Sequence, residues 1–149
     1  MNRKRILPPT YLFVAIVAMV ALHFFMPVMK VVAFPWGLLG AIPLAIGIAV
    51  NIIASNTFDK AGTTVKPFEE STALITDGVF RISRHPMYLG FVLLLLGLAL
   101  MLGSLTPFAV PAVFAVLMEL VFIRTEERML EATFGARWLD YKKQVRRWV

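Results

Sequence analysis

Four apolar runs, at about residues 10–27, 36–55, 86–103 and 108–123, leave this chain few ways to fold. Three of them, 10–27, 36–55 and 86–103, contain no aspartate, glutamate, lysine or arginine, and each run approaches the ~20 residues with which a helix crosses a ~30 Å hydrocarbon layer. A segment in lipid must pair its backbone groups within itself or close into a barrel, and runs without ten-residue apolar–polar alternation choose the helix. With 59% hydrophobic residues and a mean hydropathy of +0.78, the chain is also too apolar for an ordinary soluble domain. The expected fold is all-α: an integral membrane protein in which residues 1–149 form one domain with four transmembrane helices. The first run has the basic start of a signal peptide, but it is longer than such a segment and no A-x-A site closes it, so it is expected to stay as span one.

The charges sort to one side of this arrangement. Arg3, Lys4 and Arg5 precede span one; Lys60, Lys66, Arg81 and Arg84 lie between spans two and three; Arg124, Arg128, Arg137, Lys142, Lys143, Arg146 and Arg147 follow span four. Fourteen of the fifteen basic residues thus share one face, with Lys30 opposite, and the positive-inside rule makes that face cytoplasmic. The protein is expected to be multi-pass, with both termini, the long central loop and a helical C-terminal extension in the cytoplasm. The net charge of +6 flanks apolar runs and fits anionic headgroups of a lipid bilayer, not nucleic acid. The absence of cysteine excludes disulfides, a thiolate metal site and a cysteine nucleophile, and no metal is expected.

Within the spans, His23 suits a packed or interfacial role, Gly37, Gly40 and Gly47 permit close helix approach, and Asn51 and Asn56 mark the polar exit of span two. Residues 56–85 are longer than a connection between antiparallel spans requires, and their interleaved apolar side chains favour an ordered loop on the membrane face. Residues 103–107 form a tight turn that makes spans three and four a hairpin. No breaker follows Ile123 until Gly135, so the fourth helix should leave the bilayer with Glu119, Ile123, Glu126, Leu130 and Thr133 on one face. The same stretch also fits a solvated helix laced with charge pairs. Beyond Gly135, Trp138, Tyr141 and the basic residues to Trp148 have the pattern of an interfacial helix held to anionic lipid.

A polar approach, Gly78 to Arg84, runs into the third apolar segment at His85-Pro86. Proline is favoured at the first helical position, where its missing N–H costs nothing, so a helix should start at Pro86. Its free donors and positive dipole end, beside Arg81, Arg84 and His85, suit a carboxylate or phosphate; a cationic collar around a membrane helix would use the same residues. Glu119, an intramembrane carboxylate, fits either a functional role or simple snorkelling, and a four-span transporter using Glu119 or a non-catalytic membrane subunit would explain it too.

Thr72 to Ile75, Gly78-Val79-Phe80, Arg84-His85-Pro86-Met87-Tyr88-Leu89-Gly90 and the later Glu126-Glu127, Leu130, Phe134-Gly135 and Tyr141 resemble the isoprenylcysteine carboxyl methyltransferase family and its relatives, the phospholipid N-methyltransferases. The resemblance runs from about residue 63 to 147, the first two spans matching only as hydrophobic segments. It implies an integral membrane methyltransferase that uses S-adenosyl-L-methionine and releases S-adenosyl-L-homocysteine, with the cofactor between the loop before the Arg-His-Pro corner and the helix after the final span. By position, Thr72, Ala73, Leu74, Ile75, Phe80, His85, Pro86, Met87, Tyr88 and Glu126 would contact it, and Glu126 or Glu127 would accept from its ammonium or ribose hydroxyls. The sequence departs from the family pattern at Phe80, often tyrosine, and at Trp138, where tyrosine or an acidic stretch is common.

The acceptor implied is lipophilic. A carboxylate is ionised at neutral pH and needs a cationic guide, whereas an amine must first lose a proton to a base. Arg124, with Arg84 second, is the candidate guide; Glu119 and His85 are the candidate bases. This favours the carboxylate of an isoprenylcysteine-like substrate over a phospholipid amine.

Overall fold

Prolines open two of the helices and glycines close three. In the computed structural model, which describes residues 6–69 and 71–149, helix α1 (Pro8–Phe25) starts on two prolines and α3 (Pro86–Leu102) on one. Arg3, Lys4 and Arg5, on which part of the charge asymmetry rests, and Glu70 of the central loop lie outside the described residues. Helix α2 (Ala41–Ala61) ends at Gly62 and α3 at Gly103, both at positive φ, the left-handed geometry that glycine adopts without a Cβ clash. Helix α4 (Ala109–Met118) passes through a π-helical turn, Glu119–Ile123, into α5 (Arg124–Phe134), and α6 (Ala136–Gln144) follows the break at Gly135. Short 3-10 turns occupy Trp36–Gly40, Gly78–Arg81 and Thr106–Phe108, and there is no β-strand among the described residues.

Three helical stretches, Pro8–Phe25, Trp36–Ala61 and Thr106–Phe134, are long and apolar enough to cross a membrane. The fourth apolar helix, α3, has 17 residues, about 25 Å at 1.5 Å per residue, and falls short of a ~30 Å layer. Large apolar side chains on the outside of the bundle, among them Phe13, Val17, Ile42, Ile46, Ile52, Val113 and Val116, would be costly in water and fit hydrocarbon.

Helix α2 runs six residues past the expected end at 55, because nothing in Asn56 to Ala61 breaks a helix until Gly62; the central loop is correspondingly shorter. The expected close approach is real. Gly40 meets Gly97, Gly47 meets Gly90, and Gly37 lies against the Leu100 carbonyl, so that α2 and α3 touch backbone to backbone. Asn51 packs into the same seam, with Nδ2 donating to Gly47 O at 2.9 Å. Helix α1 packs on α3 and α4 around Met19, Leu95, Ala99, Phe114, Met118 and Phe122. His23 is structural: its Nδ1 lies 2.8 Å from Ser104 Oγ at the α3–α4 turn.

The C-terminal region departs from the expected interfacial helix. Arg137, Lys142, Lys143 and Arg146 face outward, but Trp138 and Tyr141 are buried, and residues 145–149 turn back so that Arg147 and Trp148 point into the protein. The cause is a set of carboxylates on the α4–α5 rod that only the folded chain gathers.

Candidate active site

The polar approach to α3 is held by backbone bonds to the C-terminal strap. Arg84 N–H donates to Arg146 O at 3.0 Å, and Ser83, fully buried, donates from Oγ to Arg147 O at 3.0 Å while accepting from His85 N–H at 3.1 Å. The first bond of the new helix is Leu89 N–H to His85 O, which leaves the amides of Met87 and Tyr88 at the positive end of α3. Tyr141 of α6 fixes the preceding turn by donating to Phe80 O at 2.6 Å.

His85, buried, lies between two carboxylates of α5: Nδ1 is 3.5 Å from Glu126 Oε2 and Nε2 is 3.3 Å from Glu127 Oε1. Burial opposes its protonation, but the hydrogen bonds and charges of Glu126 and Glu127 outweigh it and raise the imidazole pKa above its ordinary value. Glu126 also accepts from Tyr88 Oη at 2.5 Å. Glu127 is the centre of a wider cluster. Its Oε1 meets Arg84 Nη2 at 3.3 Å and Arg147 Nε at 3.1 Å, and its Oε2 meets Arg147 Nη2 at 2.6 Å. Arg147 reaches on to Glu119 Oε1 at 2.9 Å, and Trp148 Nε1 donates to Glu119 Oε2 at 3.2 Å.

Beside this cluster is a cavity of about 270 Å³, close to the lower end of the ~300–1,000 Å³ usual for small-molecule sites. Its walls come from the central loop, the α3 start, α5 and α6, and it reaches the first residues of α1. Most are apolar, with Glu126, His85 and Thr133 among the polar groups.

Of the predicted cofactor residues, Ala73, Leu74, Ile75, Phe80, His85, Pro86, Met87, Tyr88 and Glu126 border this one space. Thr72 does not: its amide binds Thr63 Oγ1 at 3.0 Å, and its side chain faces the Gly62 carbonyl. Glu127 does not either, since its oxygens are taken by Arg84, His85 and Arg147. Among the three catalytic candidates, Arg84 lines the cavity, buried, with its guanidinium 5.6 Å from the Trp138 ring centre. Arg124 is more than half exposed and pairs with Glu119 at 3.6 Å, and neither of these two borders the cavity. Phe68, Phe91, Met129 and Trp138 were not anticipated as lining; Met129 follows from its helical offset from Glu126, whereas Phe68 sits in the loop at positive φ, where no periodicity points to it.

A family model described as phospholipid methyltransferase matches residues 36–137. The protein-S-isoprenylcysteine O-methyltransferase A of Arabidopsis thaliana is 38% identical over 81 residues, covering 52% of this chain and 40% of the relative. The Schizosaccharomyces pombe protein-S-isoprenylcysteine O-methyltransferase is 36% identical over 75 residues, 48% of this chain and 30% of the relative. The Saccharomyces cerevisiae protein of that name is 34% identical over 111 residues, 72% of this chain and 46% of the relative. The matched stretch is less than half the length of each of these relatives.

Proposed function

Because this chain belongs to the phospholipid methyltransferase family, we propose that it is a membrane enzyme that uses S-adenosyl-L-methionine to methylate a lipophilic acceptor, with the cofactor in the cavity beside His85 and Glu126. The observation that carries this reading is the convergence of Ala73 to Ile75, His85 to Tyr88 and Glu126, far apart in sequence, on one cavity. The residues fit the group. Glu126 can accept from the cofactor's ammonium or ribose hydroxyls, the amides of Met87 and Tyr88 with protonated His85 suit its carboxylate, and Leu74, Ile75, Phe80 and Leu130 offer an apolar cover for adenine. When bound, S-adenosyl-L-methionine supplies a methyl group on a sulfonium, and the apolar walls contribute by orienting the acceptor and excluding water.

For the acceptor we favour a carboxylate like that implied by the names of the relatives, with a phospholipid amine as the alternative. Arg84 replaces Arg124 as its proposed guide, being the one of the two that lines the cavity. For the topology we propose four spans with both termini cytoplasmic. The support is the one-sided distribution of basic residues and the close packing of α3 on α2, which covers much of a helix too short to span lipid alone. Glu119, engaged by Arg147, Trp148 and Arg124, is better explained as part of this polar cluster than as a carrier.

Titration calorimetry of the detergent-solubilised protein with S-adenosyl-L-homocysteine tests the cofactor reading. His85→Ala and Glu126→Ala should each weaken binding tenfold or more, as loss of a charge-assisted hydrogen bond costs about 1.5–3 kcal/mol. No binding by the wild type would overturn it. Labelled methyl that mild alkali releases from the product marks an ester and hence a carboxylate acceptor; base-stable label marks an amine.

A further inference from the structure

Arg147 lies outside residues 36–137 that match the family, yet it hydrogen-bonds two carboxylates, Glu119 and Glu127. Its guanidinium spans two carboxylates a little over two helical turns apart on the α4–α5 rod, Glu119 before and Glu127 after the start of α5, and grips Glu127 through both Nε and Nη2. The strap that delivers it is pinned at both neighbouring carbonyls, by Arg84 N–H on Arg146 O and Ser83 Oγ on Arg147 O. These are the same two residues that precede His85. One side chain thus ties the rod to the corner at which α3 begins.

We propose that Arg147 is a positioning residue of the cofactor site: by holding Glu127 bidentately it fixes the carboxylate against which His85 is set, and so fixes His85 relative to Glu126 and the cavity. The proposal rests on the cofactor reading given above for what occupies that cavity. The groups that face His85 are Glu126 and Glu127 from α5, Tyr88 from α3, and the adjacent Arg84, with Arg147 acting from the strap through Glu127; Lys66 and Glu69, paired at 3.5 Å on the central loop, line the cavity farther off. Without Arg147 one cation leaves this cluster. Glu127 is then less neutralised, attracts the imidazolium more strongly and competes with Glu126 for it. The His85 proton should be held more tightly while the ring becomes less well placed for the cofactor.

The chain has two histidines, so His85 can be followed by NMR of histidine-labelled protein, with His23→Asn giving the assignment. Arg147→Gln should raise the midpoint of the His85 titration in cofactor-free protein by about one pH unit and weaken S-adenosyl-L-homocysteine binding about tenfold. Arg147→Lys, which keeps the charge but not the bidentate grip, should leave the midpoint near the wild-type value and weaken binding less. An unchanged midpoint and affinity in Arg147→Gln would overturn the proposal. So would lowered thermal stability in both variants with no movement of the midpoint, which is what a purely structural strap produces. A wild type that binds no S-adenosyl-L-homocysteine, but whose His85 midpoint still moves on Arg147→Gln, would sink the cofactor reading and leave the positioning of His85 standing.

Discussion

Two contact regions hold this protein together, and they use opposite means. Along the α2–α3 seam, Gly40, Gly47, Gly90 and Gly97 remove side chains so that backbones touch, and the association rests on close van der Waals packing. Around Glu127 the chain gathers His85, Arg84 and Arg147 on one buried carboxylate, and holds three elements through charge. The seam tolerates nothing larger than hydrogen but contains no group whose state can change. The cluster contains several. Lipid itself offers no hydrophobic force between helices, so the seam suits the bilayer, whereas the cluster suits the polar edge, where a ligand has to be met.

The largest expected effect is at the cluster. Glu127→Gln leaves Arg84 and His85 buried without their shared countercharge, and removing one partner of a buried pair costs about 3–5 kcal/mol, read by denaturation in detergent. Next comes the seam: a Cβ on Gly97 would lie 2.5 Å from Gly40 O and 2.6 Å from Leu44 N, both backbone atoms that cannot swing aside. Gly97→Ala should cost about 1–3 kcal/mol by the same measurement. If the order of the two reverses, packing and not charge dominates the fold. pH separates them further. The pKa of His85 is raised in the folded protein, so its contribution is complete below the ordinary value near 6.5 and is lost as pH rises through the raised one. Stability of wild type and Gly97→Ala should fall across that window, and that of His85→Gln should not. The smallest effect is expected at Glu131, a half-exposed residue whose partner Lys142 lies 3.7 Å away: Glu131→Ala should change stability and S-adenosyl-L-homocysteine affinity by less than about 0.5 kcal/mol.

The seam was half legible in the sequence. Gly37, Gly40 and Gly47 announced a helix that another helix could approach, but their partners Gly90 and Gly97 sit in a run that reads simply as apolar. Part of the cavity wall was legible because Ala73 to Ile75, His85 to Tyr88 and Glu126 fall in local motifs, whereas Phe68, Phe91 and the first residues of α1 do not. Those motifs could not tell Glu126 from Glu127, adjacent carboxylates of which one borders the cavity and the other is buried under Arg84, Arg147 and His85. Nor could they reveal that Arg124, the favoured cation, faces outward to Glu119 while Arg84 is enclosed against Trp138.

By itself the sequence determined that the chain is helical and built for lipid, that a helix begins at Pro86 and ends at Gly103, and that the segments around His85 and Glu126 were the ones to examine as a site. Each of these depends on composition, on proline and glycine, or on residues within one or two turns of each other, and such effects act along the chain. The tertiary structure alone decided which carboxylate faces the cavity, which arginine is buried, and that Arg147 and Trp148 turn inward instead of toward headgroups. These are outcomes of competition among charges 20 to 43 positions apart, and a charged side chain carries no mark of its partner until folding sets the distance and excludes the water that would otherwise screen it.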